Sequence, residues 1–267
     1  MIVVDAPRAI GALSRFLDLT AADRRDRATR DLVRTTAGEV HDGLRAQSFA
    51  FRQGLVGLRG KWQAAPATVW PGDWIPYFDS AAYATREQMQ FGLYYNILEA
   101  LVLGGGHLVD DIGVPLTIAF NLEHPLAVAY ATKNAAQQVR CINNATKEGI
   151  NRIIVKAVEN GTSWTKVQTE LREAYEFSRK RARNIAVYEI GDAYEGGKRA
   201  AVDEMRAQGL VMEKSWVHAG DGKVRDAHRQ NATAGWIGLD EPFPGDGAQR
   251  SPTDPGCRCS VIYRLAG

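Results

Sequence analysis

The stretch TKEGINRIIVKAVENG, residues 146–161, decides how the middle of this chain folds. Its apolar residues recur at intervals of three and four positions, which predicts a helix with one buried face. These residues are Ile150, Ile153, Ile154, Ala157 and Val158. Gly161 follows at the position where helices commonly end on a left-handed residue. The stretch therefore predicts a helix that terminates at Gly161.

Helical patterns lie on both sides of this stretch. Residues 126–140 are rich in alanine, and Ser163 and Ser178 each offer a hydroxyl that can cap a further helix. The helix after Ser178 is predicted to continue to about Gln208. Because the connections are short, we expect neighbouring helices to pack antiparallel.

The N-terminal half predicts long helices joined by one loop. A periodic pattern begins near Thr20 and weakens at Gly54, which predicts an amphipathic helix that breaks there. Residues 62–82 alternate tryptophans with prolines and predict a connecting loop with aromatic anchors. Residues 83–103 predict a helix ended by the three glycines at 104–106. Residues 108–120 are typical of short strands, although so short an apolar run does not separate a strand from a buried helix.

The texture of the sequence changes after Gly209. Residues 210–217 mix β-branched and aromatic residues, glycine and proline then recur every few positions, and residues 257–265 alternate as a final strand does. This pattern predicts a small sheet with loops, laid on the helices. The predicted fold class is therefore α+β and mainly helical: long N-terminal helices followed by a helical module with a small C-terminal β-sheet.

Composition excludes several classes of protein. The chain has 33 Lys and Arg residues against 31 Asp and Glu residues, and the resulting charge of +2 is too small for nucleic-acid binding by bulk electrostatics. No run approaches the roughly 18 apolar residues of a membrane span, and Asp5 interrupts any signal-peptide pattern. We therefore expect synthesis and retention in a cytoplasm, where the three cysteines stay reduced.

The last third of the chain carries its most specific pattern. Trp216, the segment DGKVRDAH at 221–228, the segment DEPF at 240–243 and the ending Cys-Arg-Cys at 257–259 follow in that order. Their order and spacing resemble the C-terminal module of the phage Mu F-like minor head protein family, also called phage head-morphogenesis proteins. The resemblance runs from about residue 119 to residue 263 and is weak before it.

The resemblance implies an organisation and a role. Residues 1–118 would form a helical N-terminal arm and a region adapted to portal and capsid, and residues 119–267 the Mu F-like module. The implied function is that of a minor structural protein of a tailed-phage head, associated with the portal, needed for head morphogenesis and in some phages ejected with the DNA. The implied partners are the portal protein, the major capsid or scaffold protein and packaged DNA, with no membrane. The implied location is the head interior or portal vertex of the virion, after synthesis in the bacterial host cytoplasm.

The tail also offers metal ligands. If Cys257 and Cys259 lie in a strand, both thiols project from the same face and could bind zinc together with His228, with His218 or Asp221 completing the set. A zinc-stabilised or hydrolase-like enzyme using these residues is the alternative function. A lone Cys-x-Cys favours instead two half-buried strand thiols and no cofactor.

No nucleophile elbow, zinc-protease motif or phosphate-binding loop is present in the sequence. The chain is therefore predicted not to be an enzyme. We expect the network of charged residues in the tail to stabilise the fold and not to take part in catalysis, because such networks most often have a structural role when no nucleophile accompanies them.

A structural network is expected in the tail, built from the residues Glu189, Trp216, Asp221, Arg225, His228 and Arg258. Asp221, Arg225 and His228 are spaced to share one side of a helical turn. Glu189 lies on an apolar stripe, so its carboxylate is expected to be buried and paired with Arg225 or Arg258. Arg225 could instead pair with Asp221 or Asp254.

The densest basic cluster consists of Arg179, Lys180, Arg181 and Arg183. A solvated first turn of a helix explains it without any function. The alternative is a DNA-binding ejection protein, in which these residues contact phosphates and binding falls steeply with salt.

Overall fold

The computed structural model describes residues 27–65, 69, 71–114, 121–253 and 256–267. These residues divide into two compact units, each assembled from separate stretches of the chain. The helical unit comprises Thr35–Tyr95 and Thr132–Ala186. The sheet unit comprises the described residues up to Arg34, Asn96–Ala131 and Val187–Gly267. The functional division into residues 1–118 and 119–267 stays a prediction.

The predicted α+β class is confirmed. The helices are α1 (Arg27–Gly54), α2 (Arg59–Ala64), α3 (Pro71–Ile112), α4 (Pro125–Glu159), α5 (Trp164–Glu173), α6 (Arg179–Ala207) and α7 (Asp226–Thr233). The strands are β1 (Met212–Val217), β2 (Ile237–Gly238) and β3 (Ser260–Leu265). None of the described helices carries an apolar stretch long enough to cross a membrane.

The predicted helix ends are largely confirmed. Helix α1 ends at Gly54, while its predicted start at Thr20 lies outside the described residues. Gly161 terminates α4 with a φ of 58°, and Thr162 N donates to Ala157 O at 2.8 Å, as in a left-handed helix terminator. The hydroxyls of Ser163 and Ser178 accept from the backbone amides three residues on. Helix α4 also joins the two segments predicted at 126–140 and 146–160 without a break.

The predicted loop over residues 62–82 is wrong for most of its length. Helix α2 includes Trp62, and α3 begins at Pro71, because proline has no amide to satisfy at the first position of a helix. Pro76 removes only one hydrogen bond from the second turn. The tryptophans Trp62 and Trp74 are buried anchors as predicted, whereas Trp70 lies outside the described residues.

The predicted end of the third helix at residues 104–106 is also wrong. Helix α3 continues to Ile112, so residues 108–112 are helical and not a strand, and residues 115–120 lie outside the described part of the chain. Glycine serves here to bring two helices together. A Cβ on Gly104 would lie 2.0 Å from Tyr194 O, and a Cβ on Gly197 would lie 1.9 Å from Leu101 O.

The small sheet of the tail has the strand order β2-β1-β3, with both pairs antiparallel. Trp216 of β1 lies opposite Val261 of β3. One face of the sheet packs with helix residues into a common core. The residue pattern after Gly209 predicted such a sheet laid on the helices. This core comprises Leu108, Ala201, Val202, Met205, Met212, Trp216, Leu239, Phe243, Val261 and Tyr263. Burial of each large side chain contributes about 1.5–3 kcal/mol relative to its exposure, which holds the sheet on α3 and α6.

Candidate functional site

The loop before α7 is fixed by Asp221. Its carboxylate accepts from Lys223 N at 3.0 Å and pairs with the Arg258 guanidinium at 2.6 Å. The hydrogen bond from Arg258 is the main reason that the pKa of Asp221 falls to about 2. This ion pair joins the 221–225 loop to the segment just before β3. Asp221 and Arg258, which the sequence placed in one predicted network, are therefore in direct contact.

His228 lies at the centre of the site. Helix α7 buries its ring at 3% exposure. One ring nitrogen, Nδ1, lies 3.4 Å from Cys259 Sγ and 3.7 Å from Cys257 Sγ. The other, Nε2, lies 3.1 Å from Thr253 Oγ1 and 3.5 Å from a carboxylate oxygen of Asp246. His228, Cys257 and Cys259 form what we call the thiol cluster.

Trp216 closes one side of the thiol cluster. Its ring meets the His228 ring edge-on, with the centroids 5.4 Å apart, and meets Phe243 at 5.1 Å. The indole N–H is buried and has no hydrogen-bond acceptor among the described residues. Trp216 therefore packs against the cluster through its ring.

The two neighbouring thiols shift each other's pKa in opposite directions. Hydrogen bonding from the Cys259 thiol lowers the pKa of Cys257 below its ordinary value. The same contact, together with burial, raises the pKa of Cys259 above its ordinary value. Both cysteines lie in the loop just before β3, so the expectation that they project from one face of a strand is corrected. They nevertheless converge on His228, because the loop turns both sulfur atoms toward α7.

Arg225 lies outside the predicted helical turn. Helix α7 begins after Arg225, whose extended backbone precedes the first turn, and Asp221 lies further back in the loop. Asp221 pairs with Arg258 and not with Arg225. The proposed alternative partner Asp254 lies outside the described residues.

Glu189 is buried as predicted, at 6% exposure, but its predicted ion pair is wrong. Arg258 is engaged by Asp221, and no hydrogen bond or ion pair reaches Glu189 from the described side chains. Burial, with a smaller contribution from the nearby Asp192, raises the pKa of Glu189 to about 8. The residue therefore avoids the cost of a buried charge by keeping its proton at neutral pH.

A second buried cluster holds the last strand to α6. Glu195 accepts from Lys198 Nζ at 2.9 Å, from the Ser260 hydroxyl and from Val261 N at 3.1 Å. Lys198 also donates to Ser260 Oγ at 3.0 Å. We call Glu195, Lys198 and Ser260 the Glu195 cluster; all three are less than 6% exposed. The i, i+3 spacing of Glu195 and Lys198 on a helix of small apolar residues was the sequence signal for it.

Two further residues anchor the loop that leads to β3. The Arg250 guanidinium donates to Asp192 at 2.6 Å, and the hydroxyl of Tyr130 donates to the same carboxylate. Burial is the main cause that raises the pKa of Tyr130 above its ordinary value. Distant positions in the sequence form this contact, and local spacing carried no signal for it.

The basic cluster at the start of α6 separates into two kinds of residue. Arg179, Lys180 and Arg183 are exposed. Arg181 is buried, and its guanidinium donates to Thr146 Oγ1 at 2.7 Å, to Ile142 O at 2.9 Å and to Glu176 O. The predicted DNA contact by Arg181 is therefore wrong, because its donors already satisfy the interior of the helical unit. Contact by the other three stays a prediction.

Comparison with known proteins finds that the part of the chain containing the site is similar to a protein family. Residues 148–262 match the family model described as Phage Mu protein F like protein. This region is similar to that family, and we call it the Mu F-like module. It contains the thiol cluster, the Glu195 cluster and the Asp221–Arg258 pair, and it is narrower than the range of 119–263 predicted from the sequence. The match relates the chain to phage head proteins.

One relative of the Mu F-like module is an uncharacterised protein, YqbB, of Bacillus subtilis (strain 168). The two are 32% identical over 115 residues, which is 41% of this chain and 36% of that protein. The chain thus matches about a third of the length of that relative. No solved structure matches the chain.

Proposed function

We propose that this protein is a minor structural component of a tailed-phage head, associated with the portal and required for head morphogenesis. The single observation that carries the proposal is the match of residues 148–262 to the Mu F-like family. The proposed location is the head interior or the portal vertex. The proposed partners are the portal protein and the major capsid or scaffold protein.

The chemistry of the tail supports a structural role over a catalytic one. The charged groups of the Mu F-like module are used to hold the tail: Asp221 with Arg258 joins two loops, and Glu195 with Lys198 joins β3 to α6. The cavity beside the thiol cluster has a volume of about 10 Å³, enough for roughly one water molecule. A peptide or sugar substrate does not fit there, which argues against the hydrolase-like alternative.

Deletion of the gene from its own phage or prophage tests the proposal. We expect aberrant or DNA-free heads in electron micrographs and a large fall in infectious titre, both restored by the gene supplied in trans. Normal heads and an unchanged titre in its absence would contradict the proposal.

Association with the portal is tested by co-expression. The tagged full chain should retain the portal protein encoded in the same phage genome through size-exclusion chromatography, and quantitative mass spectrometry of virions should find a few copies of the chain per particle. Recovery of the chain alone, together with its absence from purified virions, would contradict the assignment.

A DNA-binding ejection role is the second candidate, and the exposed residues Arg179, Lys180 and Arg183 favour it. Replacement of these three by glutamine should weaken DNA binding and flatten its salt dependence, because each lost phosphate contact reduces the slope of log K against log salt by about one. Lys133→Gln with Arg140→Gln, at exposed positions of α4, is the matched control. Equal loss in both variants, or no binding by the wild type, would reject this role.

A further inference from the structure

We propose that His228, Cys257 and Cys259 bind a zinc ion that fastens the end of the chain to α7. The proposal does not depend on the role of the protein in the phage head. It rests on the distances between the three donor atoms, on the contacts of the second nitrogen of His228 and on the size of the adjacent cavity.

The donor atoms are spaced as they are around one tetrahedral zinc ion. Zinc lies about 2.3 Å from thiolate sulfur and about 2.0–2.1 Å from imidazole nitrogen, so tetrahedral angles place sulfur and nitrogen about 3.6 Å apart. The observed distances from His228 Nδ1 are 3.4 Å to Cys259 Sγ and 3.7 Å to Cys257 Sγ. All three donor atoms lie within 4.8 Å of one another. The three donor atoms are therefore close enough together to share one ion.

The contacts of His228 prepare it as a ligand. Its Nε2 faces the Thr253 hydroxyl at 3.1 Å and the Asp246 carboxylate at 3.5 Å. A proton on Nε2 leaves the lone pair of Nδ1 directed at the sulfur atoms, and a carboxylate behind a histidine is the usual support of a zinc ligand. Asp246 is itself held by Asn231 Nδ2 at 2.9 Å and by Ala248 N at 3.1 Å.

The three donor atoms determine which metal ion the site prefers and what net charge the filled site would carry. Two thiolates and one imidazole are soft and borderline ligands that suit zinc, whereas magnesium and calcium take oxygen ligands. Two thiolates neutralise one Zn²⁺ ion, so the half-buried site would carry no net charge when it is filled. Binding releases the thiol protons to solvent, and no oxidation or reduction is involved.

A water molecule would occupy the fourth coordination position of the proposed zinc ion. The cavity at the cluster has a volume of about 10 Å³, and in addition to the three ligands it is lined by Ala219, Lys223, Val224, Arg225, Gly256 and Arg258. This volume is close to what one water molecule needs. Three protein ligands with one water molecule complete a four-coordinate site.

Metal analysis of the purified full chain tests the proposal. Cells grown with zinc should yield about one zinc ion per chain, and Cys257→Ser with Cys259→Ser should abolish it. Cys141→Ser is the matched control, because Cys141 is an exposed free cysteine that is not one of the three donors and its variant should keep the metal. Zinc that remains at the wild-type level in the double serine variant would overturn the proposal.

Thiol titration of the wild type gives a second answer that does not require a variant to fold. With zinc bound, one of the three cysteines should react rapidly with a thiol reagent, and a chelator should expose all three. Cobalt should replace zinc and give the absorption of a tetrahedral site with two thiolates. Three reactive thiols before the chelator, or one reactive thiol before and after it because a disulfide has formed, would each reject a zinc site.

Discussion

The Glu195 cluster and the thiol cluster lie at the same end of the chain, yet their composition differs. In the Glu195 cluster an acid, a lysine and a hydroxyl satisfy one another at 2.9–3.0 Å, and charge is balanced within the group. The thiol cluster gathers two sulfur atoms and one imidazole nitrogen. The Glu195 cluster is held by contacts within the protein, whereas the thiol cluster is where we propose that a zinc ion binds. The proposal predicts that metal binding adds to the stability of the tail at the thiol cluster and not at the Glu195 cluster.

The largest effect is expected from Glu195→Ala. The change leaves the Lys198 ammonium buried without its carboxylate, and breaking a buried ion pair in this way costs about 3–5 kcal/mol. Urea unfolding of the full chain measures it. Glu213→Ala is the matched control, because it breaks the pair of Glu213 with Arg264, which is partly exposed at the surface of the sheet, and should cost under about 1 kcal/mol. Equal losses of unfolding free energy in the two variants would show that the buried Glu195–Lys198 pair is no stronger than the partly exposed pair.

A smaller effect is expected from the metal at the thiol cluster. Zinc at a hundredfold excess over its Kd should stabilise the wild type by about 2.7 kcal/mol, and a chelator should reverse the gain. The double serine variant should show no response to either addition. Thermal unfolding with and without zinc measures the shift, and an equal response of both proteins would place the stabilisation elsewhere.

Glu189 sharpens the comparison, because it is a buried acid that no cationic side chain of the described residues pairs with. Its pKa of about 8 in the folded chain lies above the ordinary 4.5, so the folded state binds the extra proton between these pH values. Stability should therefore fall as pH rises through that window, by about 2 kcal/mol between pH 6 and pH 8. Glu189→Gln should flatten this slope. Glu148→Gln, at an exposed helical position, is the control, and a slope unchanged by Glu189→Gln would contradict the protonated state.

The smallest effect is expected from Asp221→Asn, which breaks the exposed ion pair between Asp221 and Arg258 just before β3. The folded pKa of Asp221, about 2, lies below the ordinary 3.8. Its stabilising contribution is therefore present above pH 3.8 and is lost as pH falls toward 2. Differential scanning calorimetry at low salt should show a slight fall in Tm at pH 7 and a smaller fall at pH 2, where the carboxyl is about half protonated. A fall in Tm as large as that of Glu195→Ala would show that exposure does not decide the strength of these pairs.

Much of the fold follows from local sequence. The periodicity of residues 146–161, the terminator Gly161 and the caps Ser163 and Ser178 predicted helix ends that the structure confirms. These features could be predicted because each depends on neighbours a few positions away. Gly104 was misassigned for the opposite reason: its role is to admit Tyr194 of another helix, and the sequence around it only shows three glycines.

The features of the site likewise fall into those that the sequence predicted and those that only the structure revealed. From the sequence alone we predicted a resemblance to the Mu F-like family, a helical body with a small terminal sheet, and candidate metal ligands in the tail. The tertiary structure alone decided that Arg258 pairs with Asp221, that Arg181 is buried, and that both thiols face one nitrogen of His228. Spacing along a chain fixes which residues share a turn, whereas contacts between distant segments depend on how apolar burial brings those segments together.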